Sequence, residues 1–134
     1  MALGSWDPAA QSAAQSIALT PELVAELAAY SADGQLDDLP GHLSGDRAQE
    51  LSGLMQLPAA EWQAAAENLE SATIRHLVSF FAVAENLPGW EAGEHSPVIP
   101  LAKALRRRGE KLDRDFLLWL RQVNDNRFLP YGPL

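Results

Sequence analysis

The chemically richest stretch of the chain is Pro88 to Ser96, PGWEAGEHS, where Glu91, Glu94 and His95 stand among small and helix-breaking residues. Two carboxylates and an imidazole could ligate a cation if the loop folded round one. There is no second histidine nearby, so the expectation is a solvated acidic loop with no metal and no cofactor. Joined by an arginine from the next helix, the loop could instead clamp a small anionic ligand, because guanidinium groups match carboxylate and phosphate, while Lys103 and Arg107 share a face of that basic helix and are candidates for binding a ligand or protein partner. Trp90 sits in this loop beside Pro88 and Gly89 and is expected to be an exposed, partner-binding aromatic, whereas Trp62 and Trp119 fall at helical spacing and belong to core or boundary.

Other chemistries find no support in the spacing. A di-iron carboxylate bundle needs Glu three residues before an inward His, yet Leu39, Thr73 and Ala92 precede His42, His76 and His95 at that distance. The His-Glu-x-x-His zinc pattern and the glycine-rich phosphate loops do not occur. Gly41-His42-Leu43-Ser44-Gly45 has the wrong spacing for a serine elbow and no strand before it, so Ser44 reads as a helix cap. Asp37 and Asp38 are adjacent acids in a polar loop, without the pocket that general acid–base work requires. His76 reads as a partly buried histidine bonded to a neighbour, and the absence of cysteine removes thiol chemistry and disulfides together. The expectation is a protein without catalysis.

The basic run Arg106-Arg107-Arg108 fans round its helix at about 100° per residue, so it cannot lie on one flat partner. Cations in a last helical turn favour the carbonyl end, which predicts capping and pairing with acidic residues. A helix-turn-helix about the turn Gly109-Glu110-Lys111-Leu112 would place Phe116, Leu117, Leu118, Trp119 and Leu120 where a DNA reader needs polar side chains, so nucleic acid binding is not expected.

These groups must be positioned by helices, because alanine and leucine dominate the apolar residues and no alternating β-branched run occurs. Asp7-Pro8 and Thr20-Pro21 place capping side chains before proline, which predicts helix starts there, the first over Pro8 to Ile17. Asp33 to Gly45 reads as a loop, Ser44 caps a helix reaching Met55, and Pro58 opens another with Trp62 and Ala66 on one side. The stripe Ile74, Leu77, Val78, Phe81, Ala84, flanked by Phe80, Val83 and Leu87, predicts a central helix from Ile74 to Leu87. A further helix runs from Ser96-Pro97, settling only at Pro100, to Gly109, and Asp113 caps the last, with Phe116, Leu117, Leu120 and Val123 inward. Residues 124–134 form a non-helical tail in which Phe128 and Tyr131 are apolar enough either to fold back on the bundle or to dock in a partner's groove.

The expectation is therefore an all-α single domain, 1–134, of about six helices. Its charge is divided: residues 1–95 carry fourteen acidic and two basic side chains, residues 96–134 four acidic and eight basic, for a net charge of −8. Blocks of opposite sign favour complementary contacts, including a homodimer. No basic leader or membrane-length apolar run occurs. The function expected is that of a small cytoplasmic protein-interaction or regulatory protein, the alternative being an enzyme or small-ligand or anion binder built on the 88–96 loop and neighbouring arginines.

Overall fold

The computed structural model describes residues 19–131, and within that range it contains seven α-helices and no strand. In chain order these are α1 (Pro21–Ala32), α2 (Leu39–His42), α3 (Gly45–Leu51), α4 (Ala59–Ala66), α5 (Ser71–Ala84), α6 (Val98–Arg107) and α7 (Arg114–Val123). The all-α bundle expected from the sequence is observed; the helix anticipated over Pro8 to Ile17 lies outside the described residues.

Local chemistry sets most of the helix ends. The N–H groups of Leu23, Arg47 and Phe116 donate to the capping oxygens of Thr20, Ser44 and Asp113 at 3.1, 3.1 and 2.8 Å. At the other end of α6, Gly109 takes φ +78, and the N–H of Glu110 reaches back to the Leu105 carbonyl at 2.9 Å. This closure needs a residue tolerant of positive φ at that position, which glycine supplies.

Helix α5 is the centre of the molecule. Its Ile74, Leu77, Val78, Phe80, Phe81, Ala82 and Ala84 are all buried, and it packs against α1, α6 and, over a smaller area, α7, while α4 leans on α6. The rings of Trp62 and Phe80 each meet Phe81 edge-on at 5.1 Å. Trp90 closes the cluster, edge-on to Phe80 at 6.0 Å. Edge-to-face pairs of this kind add about 0.5–1.5 kcal/mol beyond the area they bury.

Several boundaries differ from the sequence reading. Within the expected loop Asp33 to Gly45, Leu36–Asp38 forms a 3-10 turn and α2 a short helix; Leu39 is fully buried and pins both to the core. The helix expected to reach Met55 breaks at Ser52, whose hydroxyl donates to the Gln49 carbonyl at 2.8 Å, and continues as a 3-10 turn over Ser52–Gln56. Ser52 and Gly53 are poor helix residues, and the tighter turn still buries Leu54 and Met55. Helix α5 stops at Ala84 instead of Leu87, because the residue before a proline is driven out of the helical region; Asn86 and Leu87 close with i to i+3 bonds instead. Helix α6 starts at Val98, between the expected start at Ser96-Pro97 and Pro100, since Pro100 is tolerated in a first turn. On α7 only Leu120 is fully buried, Phe116, Leu117, Trp119 and Val123 are half-buried, and Leu118 is 51% exposed.

Candidate functional site

The loop after α5 folds against the 3-10 turn before α4 and leaves an open cleft of about 490 Å³. One wall is Met55, Leu57 and Pro58, and the start of α6 adds Ile99 and Pro100. Glu91, Glu94, His95 and Ser96 also belong to the lining. Glu91, Glu94 and His95 are exposed, and Glu94 Oε1 lies 3.7 Å from His95 Nε2. Apolar walls under an acidic rim suit a ligand that combines an apolar part with a positive charge.

Trp90 does not take part. It is fully buried, and its indole N–H donates to the Ala48 carbonyl at 3.0 Å, so the expectation of an exposed binding aromatic is overturned. Pro88 and the positive φ of Gly89 turn the chain so that the ring enters the aromatic cluster instead of water.

Nor does the structure assemble the anticipated anion clamp. Among the described residues no lysine or arginine lines the cleft. Arg107 and Arg108 border a separate depression with Gln63 and Glu67, and Lys103 is half-buried on α6. Arg108 already serves the fold: it donates to the Ala66 carbonyl at the end of α4 at 2.5 Å and to Ser71 Oγ at 3.2 Å. Arg75, which lies outside the basic run, reaches Glu110 Oε1 at 3.7 Å, whereas within the run Arg108 meets a carbonyl at the end of another helix instead of its own. Arg106 stacks over the Tyr131 ring with its guanidinium carbon 4.4 Å from the centroid. Phe128 and Tyr131, candidates for a partner's groove, pack half-buried against this chain's own core beside the buried Leu129.

Behind the cleft lies a polar cluster that the motif search did not find. Glu85, just past α5, is only 6% exposed. Its carboxylate accepts from Ser96 Oγ, at the cleft lining, and from Asn126 Nδ2 at 3.5 Å. Asn126 Nδ2 also donates to the Gly93 carbonyl at 2.8 Å, and Asn124 Nδ2 to that of Ala82 at 2.8 Å. Burial pushes the Glu85 carboxyl up from 4.5 to about 7, against the hydrogen bonds from Ser96, Asn126 and Asn124 that pull it down. The available signal was spacing: Glu85 follows Val78 and Phe81 on the buried stripe at seven and four residues.

Elsewhere, Ser31 Oγ and His76 Nδ1 bond at 2.9 Å between α1 and α5, the neighbour-bonded histidine expected. Among the described residues no group of three or more His, Cys, Asp or Glu could hold a metal ion, and no helix is long and apolar enough to cross a membrane. Comparison with known proteins finds no matching family model, no matching curated protein and no matching solved structure.

Proposed function

We propose that this chain is a protein-interaction domain without catalytic activity, whose cleft between the Ser52–Gln56 turn and the 91–96 loop receives a partner segment carrying an apolar anchor next to a lysine or arginine. The observation that carries the reading is the pairing of apolar walls, Leu57, Pro58, Ile99 and Pro100, with the exposed carboxylates of Glu91 and Glu94 at the rim and, among the described residues, no lysine or arginine in the lining. The apolar walls would supply affinity, and the rim charges orientation and encounter rate.

The test compares two fluorescent peptides of equal apolar content, one flanked by arginines and one by glutamates, by anisotropy. The arginine peptide binds and the glutamate peptide does not. Binding weakens as salt rises and is lost in Glu91→Lys/Glu94→Lys, while Leu57→Asp removes binding of the basic peptide without a charge clash at the rim. Equal binding of both peptides, or binding indifferent to all three substitutions, rejects the cleft as the docking site.

A further inference from the structure

The cleft joins an acidic rim to apolar walls, and α7 of the same chain carries the complementary pattern on its outer side. Of the large apolar side chains among the described residues, Leu118 alone is exposed, at 51%. At about 100° per residue, Arg114 and Arg121 fall within about 60° of Leu118 around the helix, and both are exposed. The half-buried Leu117 borders the same strip. The other side of α7 faces the core, where Leu120 is buried and Phe116, Trp119 and Val123 are half-buried. Residues 114, 117, 118 and 121 therefore stand at the i, i+3, i+4 and i+7 positions by which an amphipathic helix lies in a groove.

The charges of both surfaces lack partners across the fold. Among the described residues neither Arg114 nor Arg121 pairs with a carboxylate, Glu91 has no cation, and Glu94 meets only His95, its neighbour on the rim. The described lining of the cleft contains no residue of α7, so a chain does not fill its own cleft with this helix. We propose that the segment received by the cleft is α7 of a second copy of this chain, with Leu117 and Leu118 set against Leu57, Pro58, Ile99 and Pro100 and with Arg114 and Arg121 facing Glu91 and Glu94. The occupant so named rests on the reading of the cleft given above.

Two charges oppose the contact, and both are of limited reach. Asp115 is exposed about 60° round from Leu118, on the side away from Arg121, which puts it at the edge of the strip. Each copy also carries a net charge of −8, so two copies repel at a distance. At about 0.1 M salt the Debye length is about 10 Å, which screens that repulsion and leaves ion pairs in direct contact.

Sedimentation velocity of the full chain over a concentration series reads the contact. At about 0.1 M salt the chain should associate, and at about 1 M, where the Debye length is about 3 Å, it should shift toward monomer. Glu91→Lys/Glu94→Lys and Arg114→Glu/Arg121→Glu should each be monomeric alone, because each sets like charges face to face. Mixed in equal amounts they should associate again. The lysine cleft of one then faces the glutamate helix of the other, and the two unsubstituted surfaces face each other as in the parent. All four positions are exposed, and circular dichroism checks that each variant keeps its helices. Leu118→Asp, at an equally exposed position, should also be monomeric and serves if either double variant folds poorly. A chain that is monomeric throughout, association that survives either double substitution or Leu118→Asp, or a mixture that stays monomeric overturns the proposal. The arginine-flanked peptide separates it from the reading of the cleft. A monomeric chain that binds this peptide keeps the cleft as a docking site and overturns only the second copy as its occupant. If the proposal holds, the same peptide dissociates the assembly.

Discussion

Trp90 and Ala48 are 42 residues apart, yet the indole N–H of one donates to the carbonyl of the other at 3.0 Å. The bond ties the loop after α5 to α3, and it explains why a tryptophan in a loop rich in glycine and proline is core. Trp90→Ala should cost about 3–5 kcal/mol in a urea titration, as expected for a truncated buried aromatic. Phe81→Ala, at the junction of both indoles, should cost a similar amount. A midpoint unchanged by Trp90→Ala would mean that the ring is not buried.

The arginines of α6 should separate by role. Arg108 bonds to Ala66 and Ser71, whereas Arg107 points to the neighbouring depression. Arg108→Ala is expected to lower stability by about 1 kcal/mol, and Arg107→Ala to stay within about 0.5 kcal/mol of the parent. Thermal melts of the two variants side by side make the comparison, and equal losses would contradict it.

Asn124 is buried, donates to the Ala82 carbonyl at 2.8 Å and accepts from the Asn126 N–H at 2.7 Å. Asn124→Ala should cost about 1–3 kcal/mol, because it leaves buried groups without partners. Asn124→Asp should be worse above neutral pH, where a second anion would face Glu85, and equilibrium unfolding at pH 5.5 and 8 would show whether the gap widens.

Global stability carries the Glu85 signature with a definite sign. Because the folded-state carboxyl is raised from 4.5 to about 7, its neutral form is the favourable one. Its contribution is fully present below the unfolded value and is lost, by about 1.4 kcal/mol per pH unit, as pH rises to about 7. The measurement is the difference between parent and Glu85→Gln in urea at pH 5, 6, 7 and 8, which cancels the carboxylates that act in the opposite direction. A difference that stays constant across the series contradicts the assignment.

Features set within a few residues were legible in the sequence. Thr20, Ser44 and Asp113 cap as read, because each oxygen needs only an N–H three positions on. The α5 stripe was equally plain, since its period is its own evidence. What failed depended on distant chain. Trp90 looked exposed because its partners are Ala48 and Phe80, and no local pattern announces them. The loop and the arginines looked like one site because they are adjacent in sequence, whereas α6 carries Arg107 and Arg108 toward α4 and away from the cleft. Glu85 was counted as one more acid, although its place four residues after Phe81 marked it as inward; the asparagines that receive it come about forty residues later.

The shared contact of Trp62 and Trp90 with Phe81 also gives the molecule an optical signature. One indole meets that ring at 77° and 5.1 Å, the other at 33° and 6.5 Å, and both lie out of water. Rings fixed in so asymmetric a setting should give a structured near-ultraviolet dichroism band and blue-shifted emission. Both signals depend on side-chain packing, while the far-ultraviolet helix signal depends on the backbone. An acid or denaturant state that keeps its helices but loses its close packing would therefore extinguish the indole signals first, and the native chain can report that transition without an added dye.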